Sequence, residues 1–248
     1  MVSKSSVKYI QSLQQKKFRD EYGVFVAEGP KVVPELVATQ TFELIALYGT
    51  NQWLLEQEKS RMEISSGEIF EISQAELERM SGLKSPHSCL AIFRKKETIP
   101  PVPTDSLILM LDELQDPGNL GTIIRTADWF GVKQIICSPE TADCYNPKVV
   151  QSTMASLGRV EVYYQDLRAW LAPRKDKILL CSSLQGVPLS DIEPAANQVL
   201  VIGNESKGVN ASLLAIAREL INIPKIGEAE SLNAAVATGI MLSHLCKL

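Results

Sequence analysis

Histidine is almost missing from this chain: His87 and His244 are the only two among 248 residues. A metal centre built on imidazole ligands therefore has little to draw on. Cysteine is also scarce. The five that occur (Cys89, Cys137, Cys144, Cys181 and Cys246) are odd in number and scattered, with no C-x-x-C pair. That excludes a disulfide framework and a zinc knuckle, and fits the reduced thiols of a cytoplasmic protein. No apolar run is long enough to span a bilayer. The opening MVSKSSVKYIQ carries charge without the apolar stretch of a secretory leader, so the expected location is the cytoplasm, with no membrane partner. Bulk positive charge is lacking too. The net charge of −4 argues against a nucleic-acid binder that works by its overall field. The average hides a split, because residues 1–100 hold 13 basic and 13 acidic residues, which leaves the whole deficit in the remainder. Lys16, Lys17 and Arg19 form a local basic cluster, of a size that also serves as a solvated helix face.

What is present is the composition of a folded protein, 45% apolar and 22% charged. The sharpest break is KKETIPPVPTDS, residues 95–106, where three prolines in four residues favour an extended connector. It divides the chain into a domain at 1–96, a linker at 97–105 and a domain at 106–248. Before the break, short strand and helix patterns alternate, which predicts a small α/β sandwich. After it the alternation continues with strands such as SLILML, KQIICS and QVLVIGN, apolar without a polar period. Strands of that kind are buried on both faces, so the second sheet is expected to be mostly parallel.

Ligands of open parallel sheets bind beyond the carboxyl ends of the strands, and three strand exits carry unusual chemistry. In LDELQDPGNLGTIIRTADWFG, residues 111–131, a DPGN turn leads into a helical pattern. Asn119 is placed to cap that helix, and Gly121 permits close approach. Arg125 lies near the helix start, where the dipole opposes it, as if chosen for reach; an ordinary pairing with Asp112, Glu113 or Asp128 explains it equally well. The second exit, VLVIGNESKGVN, spaces Gly203, Glu205 and Gly208 as G-x-E-x-x-G, which is no phosphate loop. In the third, INIPKIGEAESLNAAVATGI, Ser231 is the expected N-cap of a final helix with Asn233 in its early turns and a face of small residues.

Taken in order, these exits resemble the SpoU/TrmH family of RNA ribose 2′-O-methyltransferases, of the SPOUT class. The motifs are N-x-G-x-x-x-R at Asn119, Gly121 and Arg125, then Gly203, Glu205 and Gly208, then Ile223, Pro224 and Gly227 followed by Ser231, Leu232 and Asn233. The resemblance covers residues 107–248 and reaches KKFRDEYGVFVAEGPKVV, which looks like a ribosomal-protein-like RNA-recognition domain. It implies an α/β fold whose mostly parallel carboxyl-terminal sheet is threaded as a trefoil knot, and a homodimer with the final helix in its interface. S-adenosylmethionine would be held at Thr153, Gly203, Ile223, Lys225 and Leu232. Arg125 would face the ribose, oriented by Asn119, Glu205, Ser231 and Asn233, with no metal required. Lys16, Lys17 and Arg19 become the candidate RNA contacts, and the substrate a structured RNA, ribosomal in preference to transfer RNA. Two positions depart from the family pattern: Lys225 stands where methionine is usual, and Ala155 where glycine is common. A non-catalytic, ribosome-associated RNA-binding module retaining this fold stays open as the alternative. A doubly wound nucleotide-binding enzyme is disfavoured, because G-x-G-x-x-G is missing after the first strand.

Overall fold

The computed structural model describes residues 2–59, 67–97 and 106–246. In chain order the first elements are α1 (Lys4–Ser12), α2 (Lys16–Tyr22), β1 (Val24–Glu28), α3 (Val32–Thr39), β2 (Leu44–Thr50), α4 (Asn51–Lys59), β3 (Glu68–Ile72), α5 (Gln74–Met80) and β4 (Cys89–Arg94). There follow β5 (Ile108–Leu111), α6 (Pro117–Trp129), β6 (Gln134–Cys137), α7 (Pro147–Thr153), β7 (Glu161–Tyr164), α8 (Leu167–Leu171), β8 (Ile178–Pro188), β9 (Gln198–Ile202), α9 (Ala211–Leu214), β10 (Glu219–Asn222) and α10 (Ala234–Leu245). Packing gathers the chain into two compact units, 1–97 with 143–159, and 98–142 with 160–248. The proline connector expected at 97–105 lies, Glu97 apart, outside the described residues.

The first unit is a four-stranded sheet in the order β1-β4-β2-β3, in which β4 runs antiparallel to β1 and β2 while β2 and β3 are parallel. One face is filled by Val26, Tyr48, Leu90 and Ile92 against Ile10, Leu13, Leu77 and Met80 from the helices. The sequence predicts a single helix across residues 6–18; the structure breaks it at Gln15, which is extended at φ −96° and ψ 133°. Arg19 holds the break. Its Nη1 donates to the carbonyls of Leu13 and Gln14, 2.9 Å each, so it satisfies backbone acceptors left over at the end of α1. Its Nη2 meets the Asp143 carboxylate at 2.6 Å, and the side chain is only 1% exposed. The expected basic patch therefore loses a member: Lys16 and Lys17 are exposed, but Arg19 is buried, with both Nη1 and Nη2 bonded within the protein.

Asp143 opens a stretch that falls within the second half of the sequence yet packs with the first unit. Tyr145 lies 4.9 Å from Phe25 and 6.2 Å from Phe42, ring centre to ring centre. At the far end the Thr41 hydroxyl donates to the Gly158 carbonyl at 2.6 Å. The sequence predicts a helix over PKVVQSTMASL, residues 147–157, but α7 stops at Thr153, because Met154 (φ 48°) and Ala155 (φ 69°) both enter the left-handed region. Ala155 is fully buried there. A Cβ in that conformation costs about 1–2 kcal/mol, so glycine is the residue type that would sit there without strain. Ala155→Gly relieves this strain but adds freedom to the unfolded chain, so a net gain of about 0.5–1 kcal/mol is expected in urea denaturation. A loss of stability would mean that the methyl group's packing outweighs the backbone term.

The second unit is a six-stranded sheet in the order β10-β8-β9-β5-β6-β7, parallel at every pairing. The residues of β5, β6 and β9 are buried throughout, as their unbroken apolar runs require. One predicted element changes. The helix expected over ASLLAIAREL shrinks to the single turn of α9, and Glu219 and Leu220 join β10 instead. Leu220 pairs with Cys181 on β8, so tertiary pairing overrides the helical pattern at this end. Among the described residues no helix is long and apolar enough to cross a membrane.

Candidate active site

The candidate site is built in the second unit from the exits of β5, β9 and β10. At the first exit the N-cap of α6 is Asp116, not Asn119: its Oδ1 accepts the Asn119 N–H at 2.8 Å, with Pro117 in the first turn. The shift has two consequences. Arg125 lies two turns inside α6, beyond the reach of the dipole at the helix start, so dipole opposition does not define its position. Asn119, relieved of capping, points its amide elsewhere. Its Nδ2 donates to Glu205 Oε1 at 3.1 Å, and its Oδ1 accepts from Asn233 Nδ2 at 2.8 Å.

Asn233, not Ser231, caps α10, its Oδ1 accepting from the Ala235 and Val236 N–H groups at 2.9 and 3.3 Å. The result is one continuous chain, Glu205–Asn119–Asn233–α10. A carboxylate at one end can only accept and a helix amino terminus at the other can only donate, so both amide orientations are dictated. Three motifs distant in sequence thus meet through side chains.

The loop that presents Glu205 needs both of its glycines. A Cβ on Gly203 would stand 2.2 Å from the Gly208 carbonyl carbon, and Gly208 itself has φ +71°. Asn204, which the sequence analysis did not single out, closes the loop. Its backbone exchanges hydrogen bonds with Gly208 (3.0 and 2.9 Å), its Oδ1 accepts from Ser206 and Lys207, and its Nδ2 donates to the Glu113 carbonyl at 2.8 Å. Glu113 also pairs with Lys207 at 3.2 Å. Asp112, buried, accepts the Asn210 N–H at 2.7 Å; burial raises its pKa, against the opposing pull of that hydrogen bond. The acids of LDEL therefore hold the neighbouring loop and leave Arg125 alone. A signal for this was present, since two adjacent acids at the end of a buried strand need partners.

Arg125 is exposed and makes no hydrogen bond or ion pair among the described residues. It shares a face of α6 with Thr122 and with Trp129, which is 85% exposed. Ser231 is exposed and outside the hydrogen-bonded chain. Thr153, expected at the cofactor, is wholly buried in α7 and donates its hydroxyl to the Val150 carbonyl. Lys225 is exposed. Around it, the backbone of residues 223–232 enters no hydrogen bond among the described residues, and Ile226 and Leu232 present apolar side chains to solvent. Beside this stretch β8 continues past its buried part as Leu184–Pro188, where Gly186 lies so close to β10 that a Cβ would be 2.3 Å from the Leu220 carbonyl oxygen.

A parallel α/β domain with three loops gathered at its strand ends, laced by Asn119, Glu205 and Asn233, defines a class that the comparisons make specific. Residues 106–243 match the model of the SpoU rRNA Methylase family, and the chain belongs to that family. Residues 4–91 match the MRM3-like substrate binding domain. The chain is 29% identical, over 96% of its length and 95% of the relative's, to the 23S rRNA (guanosine(2553)-2′-O)-methyltransferase RlmP of Bacillus subtilis. The AdoMet-bound rRNA methyltransferase of Sinorhizobium meliloti superimposes with a TM-score of 0.86 at 31% identity, covering 99% of this chain and 96% of that one. A TrmH-family structure from Porphyromonas gingivalis gives the same TM-score and identity over 99% and 98%.

Proposed function

We propose that this protein transfers the methyl group of S-adenosylmethionine to a ribose 2′-hydroxyl of ribosomal RNA, acting in the cytoplasm as a homodimer. The observation that carries the reading is the Glu205–Asn119–Asn233 chain, with Arg125, on the same helix as Asn119, unpaired among the described residues. The stretch 223–232 fits the cofactor: a run of free backbone donors and acceptors beside apolar Ile226 and Leu232 suits an adenosine and an amino-acid tail together. Gly203, Ile223, Lys225 and Leu232 would hold it, and the cofactor supplies an electrophilic methyl on a sulfonium. Thr153 would act at most by supporting α7, since its hydroxyl is already engaged.

Arg125 then faces the ribose. A guanidinium stays charged at any working pH, so its part is to stabilise the oxygen as negative charge develops and to hold a neighbouring phosphate. The Glu205–Asn119–Asn233 chain fixes the loops beside it, and Ser231 is free to contact the sugar. Most of the acceleration comes from holding the hydroxyl in line with the methyl. Lys16 and Lys17 in the 1–96 domain provide exposed cations for RNA, and the match to a substrate-binding domain supports that division of labour.

The test is methyl transfer from labelled S-adenosylmethionine to ribosomal RNA. Label is expected in nucleotides that resist alkaline cleavage at their 3′ side, the mark of a blocked 2′-oxygen. Label on a base overturns the reaction, label in transfer RNA alone moves the substrate, and RNA binding without transfer restores the non-catalytic module.

The dimer has its own check. Helix α10 buries Ala234, Ala235, Thr238, Met241, Leu242 and Leu245 on one face, yet exposes Val236 and Ile240 on the other. Helix α6 packs against it, with Gly239 set so that a Cβ would meet Thr126 at 3.7 Å, and adds exposed Trp129. Val236→Glu with Ile240→Glu is expected to weaken association by about 2 kcal/mol or more, read by sedimentation as a shift to monomer with unchanged helical signal. A monomeric wild-type protein would remove the homodimer from the proposal.

A further inference from the structure

The first unit holds a crevice of about 850 Å³ that methyl transfer does not use, within the size range of ligand sites. It lies where Thr50 of β2 pairs with Ile72 of the parallel β3, just beyond which α4 and α5 begin at Asn51 and Gln74. Among the described residues no lysine or arginine lines it, which does not favour phosphate. Its free groups are of another kind. Among the described residues Glu71, Asn51 and His87 line the crevice, are exposed, and have side chains without a hydrogen bond or ion pair. Trp53, also a lining residue, is 3% exposed and its indole Nε1 has no partner.

These groups make an asymmetric pattern. A carboxylate accepts two parallel N–H donors, and among the four RNA bases guanine alone offers two adjacent ones, N1–H and the N2 amino group. The amide of Asn51 and the imidazole of His87 can donate to acceptors such as guanine O6 and N7. An arginine side chain from a basic protein would also satisfy Glu71, but it carries no acceptor for the remaining donors. We propose that this crevice binds an unpaired guanine base of the substrate RNA, with Glu71 accepting from N1–H and N2–H. The proposal rests on the RNA-methyltransferase reading and adds a base-reading site in the first unit.

The experiment uses the full chain, labelled with ¹⁵N, titrated at millimolar concentration with guanosine, inosine, adenosine, cytidine, uridine and N-acetylargininamide. Guanosine is expected to shift the Trp53 indole and the amides of Asn51 and Gln52. Inosine, which lacks only the N2 amino group, should bind about tenfold more weakly, and Glu71→Gln should abolish the preference for guanosine over inosine while melting at the wild-type temperature. Equal shifts by all nucleosides, or no shift at all, overturn the proposal. A stronger response to N-acetylargininamide overturns it in favour of a basic protein partner. Transfer of label to ribosomal RNA by the wild-type protein is scored separately, so failure here leaves the methyl-transfer reading standing.

Discussion

Arg125→Ala is expected to lower the rate of methyl transfer by at least about 100-fold, the loss that follows removal of one aimed group from a site of developing charge. The structure explains why this substitution isolates chemistry from folding. Arg125 is exposed on α6 and makes no hydrogen bond or ion pair among the described residues, so its removal strands no buried partner there and should change stability by no more than about 0.5 kcal/mol. It also lies outside the 223–232 stretch assigned to the cofactor, so calorimetric affinity for S-adenosylmethionine should be nearly unchanged. Arg125→Lys keeps the charge but loses the planar fork, and should fall between wild type and alanine. Matching losses of cofactor affinity and rate would show that Arg125 belongs to the cofactor's site; full activity would remove it from the mechanism.

Arg19→Ala is expected to destabilise the fold by about 3–5 kcal/mol, the usual consequence of breaking a buried ion pair from one side. The residue is 1% exposed and its partner Asp143 is 11% exposed, at a separation of 2.6 Å. Truncation leaves that carboxylate poorly solvated and unpaired, and strips the Leu13 and Gln14 carbonyls of their donor. Urea denaturation of the two proteins measures the difference. A surface RNA contact would behave otherwise, with stability within about 0.5 kcal/mol of wild type and only RNA affinity reduced. Asp143→Asn should show a smaller loss, since the amide oxygen still accepts from Nη2.

Much of the second unit could be read in the sequence because β5, β6 and β9 are buried on both faces and show it as unbroken apolar runs. Asn119, Glu205 and Asn233 were also legible, and the structure joins all three. Their roles at the helix ends were less so. Asp116 and Asn119 are both good caps, as are Ser231 and Asn233, and the choice depends on where the preceding strand releases the chain. The proline at 117 favoured Asp116, a local signal that could have decided the first case. Arg19 was illegible for a different reason. In sequence it sits beside Lys16 and Lys17 as one more cation, and the group that buries it lies 124 positions away. The left-handed pair Met154–Ala155 was equally hidden, because neither residue type announces that conformation.

The packing of residues 143–159 bears on how such a protein can be taken apart. A fragment ending at residue 97 would carry a complete substrate-binding match and still lack a piece of its own interior. Phe25 and Phe42 would lose the ring of Tyr145, Arg19 its carboxylate, and Thr41 the carbonyl of Gly158. The amino-terminal part is therefore not a cassette that recombination can pass between methyltransferases at the proline connector. A chimera must exchange the 143–159 insert along with it, or be repaired at each of those positions.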